Sequence, residues 1–128
     1  MNISFALTEK EFLAGIKGAT RRRWKPVTAK KFRKGTLHKA WSRLPRVQGA
    51  RPLGIIRAKE DAYLQPLQEM TEADLKEEGG MCASVEEFIT LVNGTPAEEL
   101  YVARFEIVKF YQPIQRQPKL IQETLFDK

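Results

Sequence analysis

The chain has 128 residues, of which 42% are hydrophobic and 30% are charged, a composition typical of a globular domain. No apolar run approaches the roughly 20 residues of a membrane-spanning helix, and a lone cysteine excludes an internal disulfide. One histidine and one cysteine are too few for a structural zinc site, so we expect no metal and no cofactor. We expect a cytoplasmic protein with one domain over residues 1–128, whose core covers about 3–111 and whose C-terminal extension covers 112–128.

The charges are distributed unevenly along the chain. Residues 1–58 contain 15 Lys or Arg and two acids, whereas residues 59–128 contain 7 bases and 14 acids. Such a basic block binds phosphate and releases counterions when it does so. We therefore expect RNA or a nucleotide-like ligand as partner, with single-stranded DNA as an alternative. The other interpretation is that the acidic part folds back and neutralises the bases.

The first predicted elements are a strand, a helix and a second strand. Residues 3–7 are typical of a strand, and Thr8 begins a helix with Glu11 at the capping-box position. Residues 19–24 then run extended. The predicted apolar face of the helix consists of Phe12, Leu13 and Ile16.

The middle of the chain alternates loops and strands. Residues 27–34 are predicted to form a short helix or a basic loop. Residues 37–44 alternate in polarity, which fits an edge strand, and residues 53–64 contain one or two further strands.

Two capped helices and a long strand complete the predicted fold. Thr71, with Asp74 three residues later, begins the first helix, and Ser84 begins the second. Residues 101–111 have apolar side chains on both faces, which indicates a central strand. The predicted buried side of the second helix consists of Phe88, Ile89, Leu91 and Val92. Together these elements predict an α+β fold with a small curved mixed sheet or barrel and flanking helices.

Several segments occur in an order that resembles a known family. They are SFALT, GIKGATRRRW, GIIRA, LQEMTEADLKEEGG, SVEEFI and YVARFE, spread over about residues 3–111. Together they resemble the ASCH domain, whose motif Gly-x-Lys-x-x-(Glu or Thr)-x-Arg corresponds here to Gly15, Lys17, Thr20 and Arg22. The resemblance implies a PUA-like β-barrel with flanking helices that binds RNA or a nucleotide in a basic cleft.

One branch of this family consists of small amidohydrolases that remove the acetyl group from 4-N-acetylcytidine. The catalytic set that this resemblance implies is Lys17, Thr20 and Glu78, with Glu77 as the alternative to Glu78. The chain departs from that branch in its run of three arginines at 21–23 and in its longer, more basic segment 25–52. Whether the chain is an enzyme therefore stays open at this stage.

The implied catalytic residues also have an interpretation without catalysis. A Thr hydroxyl becomes a nucleophile when a base takes its proton, and nearby cations can lower the pKa of a Lys enough for it to be that base. Without catalysis, Thr20 only forms a hydrogen bond within a strand, and Lys17 is a solvated cation near a helix end. A carboxylate at the end of a helix is disfavoured by the dipole, so we expect Glu78 to have a cationic partner, either Lys17 or Arg22.

Basic and aromatic residues alternate after the motif. The predicted nucleic-acid contacts are Lys17, Arg21, Arg22, Arg23, Trp24, Lys30, Lys31, Arg33 and Lys34. Aromatic faces stack on unpaired bases, and Trp24, Phe32 and Trp41 lie among these basic residues. The alternative is that Trp24 and Trp41 are core residues, which is the commoner position for a tryptophan on a strand. Arg21 and Arg23 share one face of an extended strand and Arg22 shares the other with Trp24, so only part of the arginine run can face one ligand. The resemblance implies that Arg22, which corresponds to the arginine of the family motif, is the one that faces the pocket.

The C-terminal extension contains one further motif. Residues 122–126, Gln-Glu-Thr-Leu-Phe, resemble peptides that dock on bacterial sliding clamps through Gln122, Leu125 and Phe126. A pattern of five residues arises easily by chance. The alternative is that Leu125 and Phe126 pack on the domain.

Overall fold

A computed structural model describes residues 1–111 of the chain. The strands are β1 (Asn2–Ser4), β2 (Ala19–Arg22), β3 (Leu37–Trp41), β4 (Pro52–Ala58), β5 (Tyr63–Pro66) and β6 (Glu99–Phe110). The helices are α1 (Glu9–Leu13), α2 (Pro26–Ala29), α3 (Glu72–Glu77) and α4 (Val85–Leu91), and a 3-10 turn lies at Leu67–Glu69. No helix within residues 1–111 combines the length and the hydropathy that crossing a membrane requires.

The six strands form one mixed sheet that curls into a half-barrel. The strand order is β1-β3-β4-β6-β2, and β5 pairs with the first part of β6. Only the pair of β1 and β3 is parallel among the pairings within residues 1–111. β6 is central because Val102 on one face and Ala103 and Phe105 on the other are all buried. The predicted α+β fold with a curved mixed sheet and flanking helices is confirmed, and so is the central position of the last strand.

The curl brings the two end strands of the sheet together. β1 and β2 stand at opposite ends of the strand order, yet the guanidinium of Arg22 on β2 donates a hydrogen bond to the backbone carbonyl of Ser4 on β1. Thr20 pairs with Ala103, which belongs to the core inside the curl, so Thr20 and Arg22 point to the concave side. We call the gap between β1 and β2 the seam.

Apolar clusters fill both sides of the sheet. The cluster inside the curl includes Phe5, Phe12 and Phe105, whose ring centroids lie 4.9 to 6.2 Å apart. The cluster on the outer side lies under α3 and α4 and includes Leu75, Phe88 and Leu100. Both clusters reach the seam, because Phe5 of the first cluster and Phe88 of the second lie beside the gap between β1 and β2.

Two of the three predicted helix caps are present in the structure. Thr71 and Asp74 form the reciprocal capping box of α3, and the Ser84 hydroxyl accepts a hydrogen bond from the backbone N–H of Glu87. The capping box predicted at Thr8 is wrong, because the Thr8 side chain makes no capping hydrogen bond and is buried instead.

Three predictions of burial and position are also wrong. Leu13 and Ile16 are exposed, because α1 ends at Leu13 and directs only Phe12 into the core. Leu91 is exposed although it lies on the predicted buried side of α4. β3 is not an edge strand, because it lies between β1 and β4 and buries Ala40.

Gly54 lies where β4 approaches β6 too closely for a side chain. A Cβ atom at this position would lie 2.2 Å from the backbone oxygen of Lys109. We expect Gly54→Ala to lower the free energy of unfolding by about 1–3 kcal/mol, as overpacked cores do, in a urea titration. Gly18→Ala is the matched control, because its nearest contact would be the Phe105 oxygen at 3.9 Å. Equal losses in the two variants would contradict this explanation.

Candidate functional site

The seam contains a cavity of about 230 Å³. Its walls come from residues 4–8, which are the end of β1 and the segment after it, from Lys17 and β2, from Glu78 directly after α3, and from α4. The implied catalytic residues Lys17, Thr20 and Glu78 therefore line one cavity, although 61 residues separate Lys17 from Glu78 along the chain. We call it the Lys17 cavity.

Lys17 lies deep in this cavity with 4% of its surface exposed. Its ammonium group donates hydrogen bonds to the backbone oxygen of Glu78 at 2.7 Å and to Oε1 of the same residue at 3.2 Å. Burial lowers the pKa of Lys17, and the charges of Arg22 and Arg21 act in the same direction, whereas Glu78 opposes them. The interpretation of Lys17 as a solvated cation is wrong because the residue is buried.

Glu78 stands directly after α3 and is 3% exposed. Its Oε1 atom accepts from Lys17, and its Oε2 atom accepts from the Arg21 guanidinium at 2.8 Å. The expected cationic partner Lys17 is confirmed. Arg22 is wrong as the second candidate for this hydrogen bond, because Arg21 is the arginine of β2 that faces α3.

Glu77 has a different partner from Glu78. Its carboxylate pairs with Arg104 on β6, and Arg104 also donates to Asp74 at 2.8 Å. Burial acts to raise the pKa of Asp74, but hydrogen bonds from Arg104 and Thr71 and nearby positive charges outweigh it, so the pKa is lowered. Of the two alternative acids at the end of α3, Glu78 is thus the one that binds Lys17.

Arg21 connects the cavity to the outer face of the sheet. Besides Glu78, its guanidinium donates to the side-chain oxygen of Gln65 at 2.9 Å and lies 3.5 Å from Asp74. Its Nε atom is buried and has no hydrogen-bond partner among residues 1–111. A buried donor without a partner costs free energy of folding.

Arg22 and Thr20 form the other side of the cavity. The Nε atom of Arg22 donates to Oγ1 of Thr20 at 2.9 Å, and its guanidinium carbon lies 5.4 Å from the ring centroid of Phe5. Burial lowers the pKa of Arg22, while Glu78 opposes this shift. A guanidinium stays charged in proteins. The cavity therefore combines the cations Lys17 and Arg22 and the Thr20 hydroxyl with the carboxylate of Glu78, which directly follows α3.

Several predicted nucleic-acid contacts are not available to a phosphate backbone. Lys17 and Arg21 are buried and paired with Glu78, so they line the cavity and do not lie on an exposed surface. Arg23 is exposed, but its guanidinium pairs with Glu98 at 2.6 Å and donates to the backbone oxygen of Val92.

The aromatic residues near the motif belong mainly to the core. Phe32 is fully buried, and its ring stacks on His38 at 4.9 Å. Trp24 is half-buried and packs against Phe32 at 5.9 Å. The fully buried Phe32 ring is therefore not available to stack on a base, and Trp24 has the core contacts that the alternative interpretation expected. Trp41 is partly exposed and donates through Nε1 to the Asn2 side chain.

The four remaining predicted contacts, from Lys30 to Lys34, form an exposed group. Within residues 1–111 these four side chains make no ion pair and do not line the Lys17 cavity. They lie directly after α2 and project into solvent. We call this group the basic strip, which consists of Lys30, Lys31, Arg33 and Lys34.

Some residues of the cavity could not be found from the sequence. Phe5 forms a wall beside both cations, but an apolar residue next to a strand is usually a core residue and carries no further signal. Met81 and Leu91 also line the cavity. In the part of the chain that the structure covers, no three His, Cys, Asp or Glu side chains are grouped to hold a metal ion. The motif at residues 122–126 lies outside the described residues.

Comparison with known proteins supports the fold. No protein-family model matches the chain. No curated protein matches it in sequence. Among solved structures, the chain is similar to the crystal structure of protein EF3133 from Enterococcus faecalis V583, which is assigned to the family DUF984. The two share 18% sequence identity with a TM-score of 0.61, over 87% of this chain and 76% of the other. At this identity the similarity shows that the two proteins share a fold.

Proposed function

We propose that the chain is an ASCH-type domain that binds a nucleoside or nucleotide, either free or as an unpaired residue of RNA, in the Lys17 cavity. One observation carries this proposal: the motif residues Lys17, Thr20 and Arg22 line a single cavity together with Glu78 from a distant helix. Its volume of about 230 Å³ lies below the range of drug-sized sites, which suits one base rather than a folded RNA element.

The chemistry of the walls supports a base-sized ligand. Lys17 and Arg22 offer N–H donors, and Glu78 offers carboxylate oxygens. The edge of a nucleobase carries both carbonyl acceptors and amine donors. Apolar wall residues such as Phe88 and Val92 fit its faces. Polar groups that fix orientation within mainly apolar walls are typical of ligand sites.

Calorimetric titration tests this proposal. The intact protein is titrated with cytidine, 4-N-acetylcytidine and adenosine. We expect saturable binding of at least one of these nucleosides with one ligand per chain, and little dependence on salt, because the charges of the cavity are buried and screened only weakly. Absence of saturable binding for all three would contradict the proposal.

A separate prediction concerns the basic strip and the case in which the ligand is an unpaired residue of RNA. We expect Lys30→Glu to weaken binding of single-stranded RNA and to reduce the slope of log K against log salt by about 1, because a phosphate contact is lost. Nucleoside binding should not change, since Lys30 does not line the Lys17 cavity. Fluorescence anisotropy of a labelled RNA at low and high salt provides the measurement.

Lys76→Glu is the matched control for this experiment, because Lys76 is an exposed lysine on the acidic helix α3. A slope that falls equally in both variants would show that the strip has no special role. Labelled DNA of the same sequence separates RNA from single-stranded DNA. RNA affinity that does not change with salt would exclude binding to the strip.

A second candidate function is hydrolysis of the amide of 4-N-acetylcytidine. It is favoured by the burial of Lys17, which lowers the pKa of the amine in the same cavity as the Thr20 hydroxyl. The neutral amine would take the Thr20 proton, and Oγ1 would attack the acetyl carbon. The proton then passes from Lys17 to the departing amine of cytidine, and water hydrolyses the acetyl–Thr20 ester to acetate. Arg22 would stabilise the negative charge that develops at this site.

A further inference from the structure

A groove runs beside the second half of β6. Its volume is about 370 Å³. Its walls come from residues 15–18 before β2, from Glu77 at the end of α3 and from the part of β6 between Phe105 and Phe110. We call it the β6 groove.

The β6 groove lies along an edge of β6 that no strand of residues 1–111 pairs with. The pairing with β2 ends where the Phe105 N–H donates to the backbone oxygen of Gly18, and from there to Phe110 the partner of β6 is β4, on its other side. Alternate residues of a strand direct their N–H groups to the same edge, so the N–H of Ile107 points to the groove as that of Phe105 does. Sheets in natural proteins usually cover such an edge.

Apolar side chains are exposed on both walls of the groove. Ile16 is 58% exposed on one wall, and Phe110 is 39% exposed on the other. The Phe110 ring also contacts Phe12 of the core, with the ring centroids 6.0 Å apart, and Ile107 packs on the same core cluster. The groove therefore extends the apolar cluster inside the curl to the surface, where an apolar segment would remove it from water.

The charged side chains of the groove already have partners. Lys17 pairs with Glu78, Glu77 pairs with Arg104, and Glu106 pairs with Arg57. Because each charge of the lining is neutralised by a neighbour, the groove has no cation to attract a phosphate. Its features favour an occupant with apolar side chains and a free backbone.

The chain itself supplies such a segment. Residues 119–126, Lys-Leu-Ile-Gln-Glu-Thr-Leu-Phe, contain four apolar side chains. The described residues end at Tyr111, directly after Phe110 of the groove wall. The connection from Tyr111 to Lys119 spans at most about 26–29 Å, whereas β6 from Phe105 to Phe110 is about 17 Å long. The segment can therefore reach the whole groove.

A tether also decides between this segment and a second copy of the chain. A segment joined to the groove by a short connection has an effective concentration in the millimolar range. A second copy offers the same segment only at the concentration of the protein, which is micromolar in most experiments. The segment of the same chain is therefore the favoured occupant.

We propose that residues 119–126 dock in the β6 groove of their own chain, with apolar side chains against Ile16 and Phe110 and with the backbone beside the free edge at Ile107. This inference goes beyond the proposed function and does not depend on it. It also concerns the motif at residues 122–126, because a docked segment would not be free to bind another protein through the same side chains.

Hydrogen exchange of the intact protein, measured by NMR, tests this inference. We expect the backbone N–H of Ile107 to exchange slowly, because the docked segment covers it. In Ile121→Asp this N–H should exchange roughly tenfold faster or more, since burial of one apolar side chain contributes at least that factor to docking. Ile114→Asp is the matched control, because it makes the same change between β6 and the docking segment. It should leave the exchange rate of Ile107 unchanged.

A variant of the groove wall assigns the effect to the β6 groove. Ile16→Asp should accelerate the exchange of Ile107 as Ile121→Asp does. The double variant should exchange little faster than either single variant, because both changes remove the same contact. Ile16 is exposed and does not line the Lys17 cavity, so we expect this variant to fold and to keep the cavity intact.

Several outcomes would overturn the inference. Fast exchange of Ile107 in the unchanged protein would show that nothing covers the free edge. Equal acceleration in Ile114→Asp and Ile121→Asp would show that the effect does not come from residues 119–126. Protection of Ile107 that rises with protein concentration would place a second copy in the groove instead of the segment of the same chain.

Discussion

Replacement of Glu78 by alanine is expected to lower the free energy of unfolding by about 3–5 kcal/mol, the usual loss when one partner of a buried ion pair is removed. Glu78 is the direct carboxylate partner of Lys17 and also binds Arg21, and all three residues are buried. Without it, Lys17 loses this partner, and Arg21 retains the neutral Gln65 side chain and the carboxylate of Asp74 at the longer distance of 3.5 Å. Equilibrium unfolding in urea, followed by tryptophan fluorescence, measures the loss.

Two further variants make this prediction specific. Glu106→Ala removes an exposed carboxylate that pairs with Arg57, and it should cost at most about 1 kcal/mol. Glu78→Gln keeps one acceptor oxygen in place, so it should lower the free energy of unfolding less than Glu78→Ala does. This variant can still be measured if the alanine variant fails to fold. A loss for Glu78→Ala no larger than that for Glu106→Ala would show that the buried network contributes little to stability.

Replacement of Arg22 by methionine is expected to weaken binding of 4-N-acetylcytidine roughly ten- to a hundredfold, the effect of losing one or more hydrogen bonds from a charged group. Arg22 joins the two end strands through the Ser4 carbonyl and orients the Thr20 hydroxyl at the cavity wall. Methionine keeps an unbranched apolar side chain but removes every donor and the charge. Calorimetric titration of the two proteins measures the change.

The control for Arg22→Met is Arg57→Met, which changes the same residue type at an exposed position on β4. The control should bind as the unchanged protein does. Arg22→Lys restores the charge without the planar fork of donors, so it should recover only part of the affinity. Unchanged affinity in a folded Arg22→Met protein would remove Arg22 from the binding site.

Some features of the fold and of the site could be predicted from the sequence because they depend on local rules. The capping box of Thr71 and Asp74 follows from residue types at fixed spacing, and the structure contains it. The partner of Glu78 could be anticipated because a carboxylate at a helix end is unfavourable without a nearby cation. β6 could be placed in the centre of the sheet because both of its faces are apolar.

Other parts depend on which elements become neighbours, and no local rule contains that information. Alternation along β2 separates Arg21 from Arg22, but it does not tell which of the two faces α3. The structure shows that Arg21 binds Glu78, whereas Arg22 reaches across the seam to β1. β3 has the alternation of an edge strand, yet the parallel pairing with β1 covers its free side.

The basic residues between Lys17 and Lys34 show where composition alone misleads. They include two groups with different surroundings: buried cations that pair with Glu78 and an exposed basic strip outside the cavity. Charge density predicts an anionic partner for both groups alike. Only the fold shows that the two groups have different surroundings, and so the two can be tested with different ligands.

NMR titration of the isotope-labelled protein with 4-N-acetylcytidine tests the central claim most directly. If the Lys17 cavity binds the nucleoside, the backbone signals of residues 4–8, Lys17, Thr20 and Glu78 should shift together and saturate with a single affinity. Signals of the basic strip should stay unchanged. Shifts confined to residues 30–34, or no saturable shifts in the cavity, would contradict the account.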